Sequence, residues 1–461
     1  MPIYYIPYRP VLEYEDFNPH RFDTQLSPLY NIIIRRMERG VFMDRTILHC
    51  DCNAYYASVE CIARPELRNV PMAVCGDPES RRGIILAKNE LAKGYGIVTA
   101  ETVWQAKKKC PELVLVPPRR GEYTKYCKLI NEIYAGYTSK VEAFSIDESW
   151  LDVTGSLHLF GSGREIADML RRRVREELQL TISVGVSFNK AFAKLGSDYK
   201  KPDATTVITR ENFRTLLFPL PVTDMLYVGR KTADILQKVG VHTIGALASL
   251  KRAEVSKLLG KSGELVWEYA NGLDESPVRE IGQSDPVKSI GNSITFRRNL
   301  AGESDIRAGV LMLADSVGAR LRKSGLYCQT VQVQIKDPDF RVISRQKTLP
   351  RPIHLTKDLA ETGLEIIFKA WDPEKPIRLI SLTAAGLTES EEGGQITFFD
   401  APPVRSKKQE NLESAIDRIR GRFGKDAVSY ASVLKTDIVS KRQNDIPLLS
   451  ENKSVFSGED D

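Results

Sequence analysis

The apolar residues of this chain fall into short runs and helical stripes, and the two patterns alternate. Thr46-Ile47-Leu48-His49-Cys50-Asp51-Cys52 is an almost unbroken apolar run with one carboxylate near its end, which predicts a buried strand. Asn53 follows as the expected N-cap of a helix beginning Ala54-Tyr55-Tyr56. Pro71–Gly76 and Ile84–Ala87 read as short strands separated by the polar turn Asp77–Gly83. Residues 122–138 place Leu129, Ile130, Ile133 and Tyr134 on one helical face. Residues 144–153 carry two apolar runs that meet at Asp147-Glu148, as at a hairpin tip. An amphipathic helix over 164–178, an alternating strand over 181–187 and a helix from Phe188 follow, the last ending at Lys200-Lys201-Pro202-Asp203.

The second half repeats the alternation. Residues 209–278 are helical in pattern, and 279–288 is a polar linker punctuated by Ser284-Asp285-Pro286. Strands are expected at 289–296, 330–336, 341–345 and 377–383, with helices at about 305–324 and 356–370 between them. A further helix is expected over 409–422, and the last residues have the composition of a disordered tail. Residues 1–43 hold several tyrosines and prolines without a period. They read as a poorly ordered extension, with Met43 a possible alternative start of translation.

Composition narrows the picture only slightly. The chain has 461 residues, 42% of them hydrophobic, so several domains with real cores are expected. The net charge of +6 permits nucleic acid as a partner without arguing for it. Seven cysteines, mostly inside apolar runs, suit reduced thiols of a cytoplasmic protein. Cys50-Asp51-Cys52 has no zinc spacing. No apolar run reaches the roughly 18 residues of a membrane span, and no basic-then-apolar start marks a secretory signal.

The chemistry begins with the acidic residues. By itself Asp147-Glu148 is what a solvated turn looks like, since neighbours on a regular strand face opposite ways and like charges repel. A second carboxylate, Asp51, stands at a strand-to-helix junction, where an unpaired buried charge would be costly. Together they suggest a shared cation site.

Asp51-x-Asn53-x-Tyr55-Tyr56-Ala57-Ser58-Val59-Glu60, followed by Ser145-Ile146-Asp147-Glu148, strongly resembles the Y-family of translesion DNA polymerases, with the bacterial DNA polymerase IV branch nearest. The resemblance runs from about residue 44 to 400. It implies an α+β multidomain fold, a right-hand polymerase: a ferredoxin-like palm (44–54 and 119–208), small fingers (55–118), a helical thumb with a helix-hairpin-helix (209–278), the linker 279–288, and an α/β little finger (289–390). It implies template-directed, low-fidelity DNA synthesis without a proofreading exonuclease, on primer-template DNA and deoxynucleoside triphosphates. Two Mg²⁺ ions would be held by Asp51, Asp147, Glu148 and the backbone carbonyl of Cys52. A side-chain carboxylate is common in the family where Asn53 stands. Tyr56 matches the steric gate that excludes a 2′-hydroxyl, with Tyr55 beside it, and Lys93 and Lys201 match triphosphate contacts. Glu90 stands where many polymerase IV sequences carry a phosphate-binding tyrosine.

For DNA itself, Gly229, Arg230 and Lys231 open a helix whose N–H groups suit a phosphate. Tyr227 departs from the usual glycine there. Arg297, Arg298, Lys336, Arg341 and Arg345 are candidates for a phosphate-binding sheet, and Arg81 and Arg82 for a template contact. Within the tail (391–461), Gln395, Ile396, Phe398 and Phe399 resemble the peptide that docks bacterial polymerases on the sliding clamp. A monomer in the bacterial cytoplasm, associated with the nucleoid when active, is expected. Two other readings stay open: the catalytic subunit of a mutasome that needs accessory proteins, toward which Lys88–Lys93 leans, and a non-catalytic DNA- and clamp-binding scaffold.

Overall fold

The computed structural model describes residues 44–77, 83–283, 285–390, 407–434 and 436–438. Of the two units into which the chain divides, Met1–Arg45 and Thr46–Asp461, the second carries every element described below. Its first half runs β1 (Ile47–Cys52), α1 (Tyr55–Ala63), β2 (Met72–Cys75), β3 (Ile85–Lys88), α2 (Glu90–Gly94), α3 (Val103–Lys109), β4 (Val114–Val116), α4 (Arg120–Ala135), β5 (Val141–Ala143), β6 (Glu148–Asp152), α5 (Leu157–Phe160), α6 (Gly163–Leu178), β7 (Ile182–Ser187), α7 (Lys190–Tyr199) and β8 (Thr205–Val207). Four helices follow, after α8 (Phe213–Leu217): α9 (Arg230–Lys238), α10 (Ile244–Ser249), α11 (Arg252–Leu259) and α12 (Lys261–Ala270). The second half is β9 (Ser289–Leu300), α13 (Gly302–Lys323), β10 (Tyr327–Lys336), β11 (Val342–Ile353), α14 (Thr356–Ala370), β12 (Ile377–Thr388), α15 (Lys407–Phe423) and α16 (Ala431–Leu434).

The apolar run that opens the domain becomes β1, buried along its whole length. It lies between β6 and β7 in a five-stranded sheet of order β5-β6-β1-β7-β8. The elements β1-α4-β5-β6-α6-β7 give the split βαβ order of a ferredoxin-like fold, and α1 through β4 interrupt it after β1. Helices α4 and α6 cover one face of this sheet, contributing Tyr123, Ile130, Tyr134, Ile166, Leu170 and Val174 to its core. Helix α6 starts with a capping box, Ser162 with Glu165, which explains its sharp onset after Gly161.

On the other face α7 lies directly on the sheet. A Cβ on Gly185 of β7 would sit 1.9 Å from the Ala193 carbonyl oxygen and 2.5 Å from the Ser197 nitrogen. Only glycine permits that approach. Helix α7 also sends Phe192 and Leu195 into the helical cluster that holds Phe213, Leu217, Leu236 and Leu247, so one helix serves two cores.

The interrupting segment pairs β2 with β3 and β4 in a small three-stranded sheet. The second half repeats the strand–helix–strand–strand–helix–strand order but arranges its strands β11-β10-β12-β9, all antiparallel, with α13 and α14 on one face. All seven cysteines are free and buried. Among the described residues no helix is long and apolar enough to cross a membrane.

Candidate active site

The register of β1 with β6 sets Asp51 directly opposite Glu148, at the end of the sheet where α1 begins. Directly opposed residues share a face of a sheet. Asp147 stands outside the strand. The backbone N–H groups of Phe144 and Ser145 both donate to the Glu148 carbonyl, at 2.9 and 3.2 Å, and Cys52 N–H donates to the Asp147 carbonyl at 3.0 Å. That bend releases Asp147 from the pleat, so two consecutive carboxylates need not face opposite ways. Ser145 Oγ donates to Asp147 Oδ1 at 2.6 Å and steadies it.

Two lysines from α7 and the turn beyond it face these carboxylates. Lys201 Nζ lies 2.7 Å from Asp51 Oδ2 and 2.6 Å from Asp198 Oδ1. Lys194 Nζ lies 2.9 Å from Glu148 Oε2 and 4.0 Å from Asp51. Burial pushes the Asp51 carboxyl up to about 7, against the pull of Lys201. Burial likewise raises Asp147. Burial also works against the charge of Glu148, but His49 and Lys194 outweigh it and hold that carboxyl well below the usual range. His49 is itself fully buried, lowered by that burial to about 4 and therefore neutral at pH 7. Its Nδ1 meets Ser197 Oγ at 2.8 Å and its Nε2 stands 3.6 Å from Glu148. Neither Lys194 nor His49 is assigned this role in the reading of the sequence. For Lys194 a signal existed: it lies two helical turns before Lys201, with Asp198 between them on the same face.

Asn53 is not the N-cap of α1. Ala54 takes that position with φ 47°, and its side chain makes no cap bond. Asn53 instead donates to Ser183 Oγ at 2.9 Å and accepts from Asp203 N–H at 2.9 Å. It thereby ties β1 to the turn that carries Lys201. Arg171 and Arg175 of α6 also hold Asp203.

Tyr55 is buried and donates its hydroxyl to the Tyr123 carbonyl at 2.6 Å. Tyr56 is half-buried beside it, close enough to Asp147 for that carboxylate's charge to raise its pKa further after burial has done so. Lys93 is exposed on α2 and pairs with Glu90 at 3.2 Å. Gly229, Arg230 and Lys231 are exposed at the start of α9, with Gly229 as N-cap and the preceding Tyr227 at φ 67°. Arg297 is exposed on β9. Arg298 is paired with Asp305 and Asp437. Arg345 does not stand on the open face of its sheet. It lies opposite Val333, beside Ile343, Ile366 and Ile367, on the side the helices cover, and is exposed only at the edge strand. The open face passes to Gln332 and Ser344, which bond each other at 3.0 Å. Arg81, Arg82, Gln395, Ile396, Phe398 and Phe399 lie outside the described residues.

Among the described residues no three His, Cys, Asp or Glu side chains form a ready-made metal cage. The donor set nonetheless fits a hard divalent ion. Burial pushes the Cys50 and Cys52 thiols up, which disfavours thiolate ligands and leaves the carboxylates as the anionic donors. Asp51 and Asp147 are carboxylates whose ionisation burial disfavours, and a cation would relieve that. Lys194 and Lys201 supply the positive charge in this arrangement.

Comparison with known proteins shows the family of the chain. Residues 50–198 match the impB/mucB/samB family, and residues 287–398 match the C-terminal domain of the same family. The chain is 46% identical over 393 residues to DNA polymerase IV of Acetivibrio thermocellus, covering 85% of this chain and 98% of that protein. It is 33% identical to DNA polymerase IV 1 of Bacillus subtilis, covering 90% of this chain and 98% of the relative. Among solved structures it superposes on a Y-family DNA polymerase chimera, Dbh-Dpo4(243-245)-Dbh, with a TM-score of 0.65 at 23% identity, covering 74% of this chain and 98% of that one. That likeness speaks for the fold. With both family models matched and such relatives aligned nearly end to end, the chain belongs to the impB/mucB/samB family, the Y-family of DNA polymerases, in its DNA polymerase IV branch.

Proposed function

We propose that this chain is a DNA-directed DNA polymerase that extends a primer on a template strand, working across damaged templates at low fidelity and without a proofreading step. The observation that carries the reading is the pairing of Asp51 with Glu148 across β1 and β6, with Asp147 bent out beside them. Asp51, Asp147, Glu148 and the Cys52 carbonyl would hold two Mg²⁺ ions. Bound there, the ions would acidify the primer 3′-hydroxyl and neutralise charge on the triphosphate. Lys201, now on Asp51 and Asp198, is placed to exchange those partners for a phosphate oxygen. Lys93 is a second candidate for the triphosphate, reached by leaving Glu90. Lys194 keeps Glu148 ionised, so that carboxylate needs no proton loss before it can act as a ligand. Tyr56 would stand under the sugar and exclude a 2′-hydroxyl.

The five-stranded sheet serves as palm, α1 through β4 as fingers, α8 through α12 as thumb and β9 through β12 as little finger, with Arg297 and the start of α9 on the DNA. Gln395, Ile396, Phe398 and Phe399 would dock on a sliding clamp, from a monomer acting in the bacterial cytoplasm. Primer extension by the purified chain with Mg²⁺ is the test. Extension is expected without accessory proteins and should fall at least a hundredfold in Asp147→Ala, a loss on the order of that for removing one electrostatic group. Extension that survives this change removes the mechanism. A requirement for accessory proteins would favour the mutasome subunit, and no extension under any condition the scaffold.

A further inference from the structure

Behind Tyr56 lies a second tyrosine held in place by a buried carboxylate. The rings of Tyr56 and Tyr123 are stacked, with centroids 4.0 Å apart and planes 11° from parallel. Tyr123, on α4, is fully buried. Its hydroxyl donates to Glu60 Oε1 at 2.7 Å and accepts from Arg119 N–H at 3.1 Å. Glu60 is also fully buried, and its oxygens take Arg119 Nε at 2.9 Å and Arg64 Nη2 at 2.9 Å. Glu60 lies four residues after Tyr56 on the same face of α1, while Tyr55, on the other side of Tyr56 in sequence, holds the Tyr123 backbone carbonyl. Helix α1 therefore grips Tyr123 at its backbone and at its hydroxyl, and Tyr56 rests on the ring between.

A side chain rejects one extra hydroxyl only as firmly as its own rotamer is held, because a hydrophobic wall that can yield discriminates weakly. We propose that Tyr123, anchored by Glu60, is a positioning residue that backs Tyr56 and thereby sets the discrimination between deoxyribo- and ribonucleotides. This rests on the reading of Tyr56 as the sugar gate. Glu60 touches no substrate and acts only through Tyr123.

The test is single-nucleotide insertion on one primer-template, comparing kcat/KM for a ribonucleotide and its deoxy counterpart. The variants are Tyr56→Ala, Tyr123→Leu, Tyr123→Phe and Glu60→Gln, with thermal melts beside the kinetics. Tyr123→Leu should raise the ribonucleotide share about tenfold, the scale of discrimination one poorly held apolar wall forfeits. Tyr123→Phe, which keeps the ring and loses the anchor, and Glu60→Gln should raise it less, in the same direction. If Tyr123→Leu or Glu60→Gln does not fold, Tyr123→Phe decides. Should the Tyr123 variants slow both nucleotides equally while Tyr56→Ala still admits ribonucleotides, Tyr123 is a structural residue and the inference is overturned. If Tyr56→Ala leaves the ratio unchanged, the gate itself is wrong and the inference falls with it.

Discussion

Asn53 shows how local sequence context can point a side chain to the wrong partner. An Asn before an apolar helical stretch ordinarily means an N-cap. Here the backbone turns left-handed at Ala54, and the amide is left to bridge Ser183 and Asp203. The consequence is kinetic rather than helical. Asn53→Ala frees the turn that presents Lys201, so the KM for incoming nucleotide should rise several-fold more than kcat falls, with about 1–2 kcal/mol of stability lost for the broken hydrogen bonds. Steady-state kinetics and urea melts check this; a fall in kcat at unchanged KM would count against it. Asp51, Asp147 and Glu148 were legible because chemistry forces their residue types. Lys194 and His49 were not, because a helical lysine and an apolar-strand histidine have more ordinary meanings.

At the level of elements, periodicity found most strands, missed the short β4 and β8, and fell short on the length of others. Residues 341–345 read as a short strand, yet β11 continues to Ile353, through Pro350. Proline is tolerated there because β11 is the edge of its sheet, a fact of topology and not of local pattern. The same topology turns Arg345 toward the helices, since a strand's two faces differ by a single residue step. Helix α13 starts at Gly302, ahead of the expected 305, because Asp305 folds back to accept from Ala301 N–H. Helix α15 was expected, but its mooring was not. Arg322 of α13, almost fully buried, pairs with Glu413 and Asp417, and Glu413 also accepts from Thr356 N–H at 2.9 Å. Glu413→Ala leaves a buried guanidinium short of one partner, and about 3 kcal/mol of stability should go with it. Chemical denaturation followed by tryptophan fluorescence measures the loss. A change within about 0.5 kcal/mol would mean that Asp417 alone suffices.

Across the molecule, length and composition predict several cores but say nothing of how they connect. Phe192 and Leu195 of α7 belong to the helical core at 209–270, while Gly185 and Gly196 press the same helix onto the sheet. A sequence shows two apolar sides on α7 without saying what each side meets. The site at the sheet end has a global readout as well. Burial makes Asp51 and Asp147 reluctant to ionise, so a divalent ion held there should stabilise the whole chain. Mg²⁺ at a hundredfold excess over its dissociation constant should add about 2.7 kcal/mol to the folded state, seen as a raised Tm. The same addition to a variant carrying Asp51→Asn and Asp147→Asn should move Tm little. An equal rise in both proteins would place the ion elsewhere.

The contact between Gly185 and α7 works as a gauge. It fixes the height of a helix that brings Lys194 to Glu148 and leads into the turn that brings Lys201 to Asp51. Coulomb attraction falls as the inverse of distance, so lifting Lys201 from 2.7 Å to about 4 Å would remove about a third of its pull on Asp51. A single methyl group at position 185 carries no charge and touches no substrate. It would nevertheless detune the active site as a charge substitution does, and a survey of this polymerase for catalytic residues by their chemistry would pass it by.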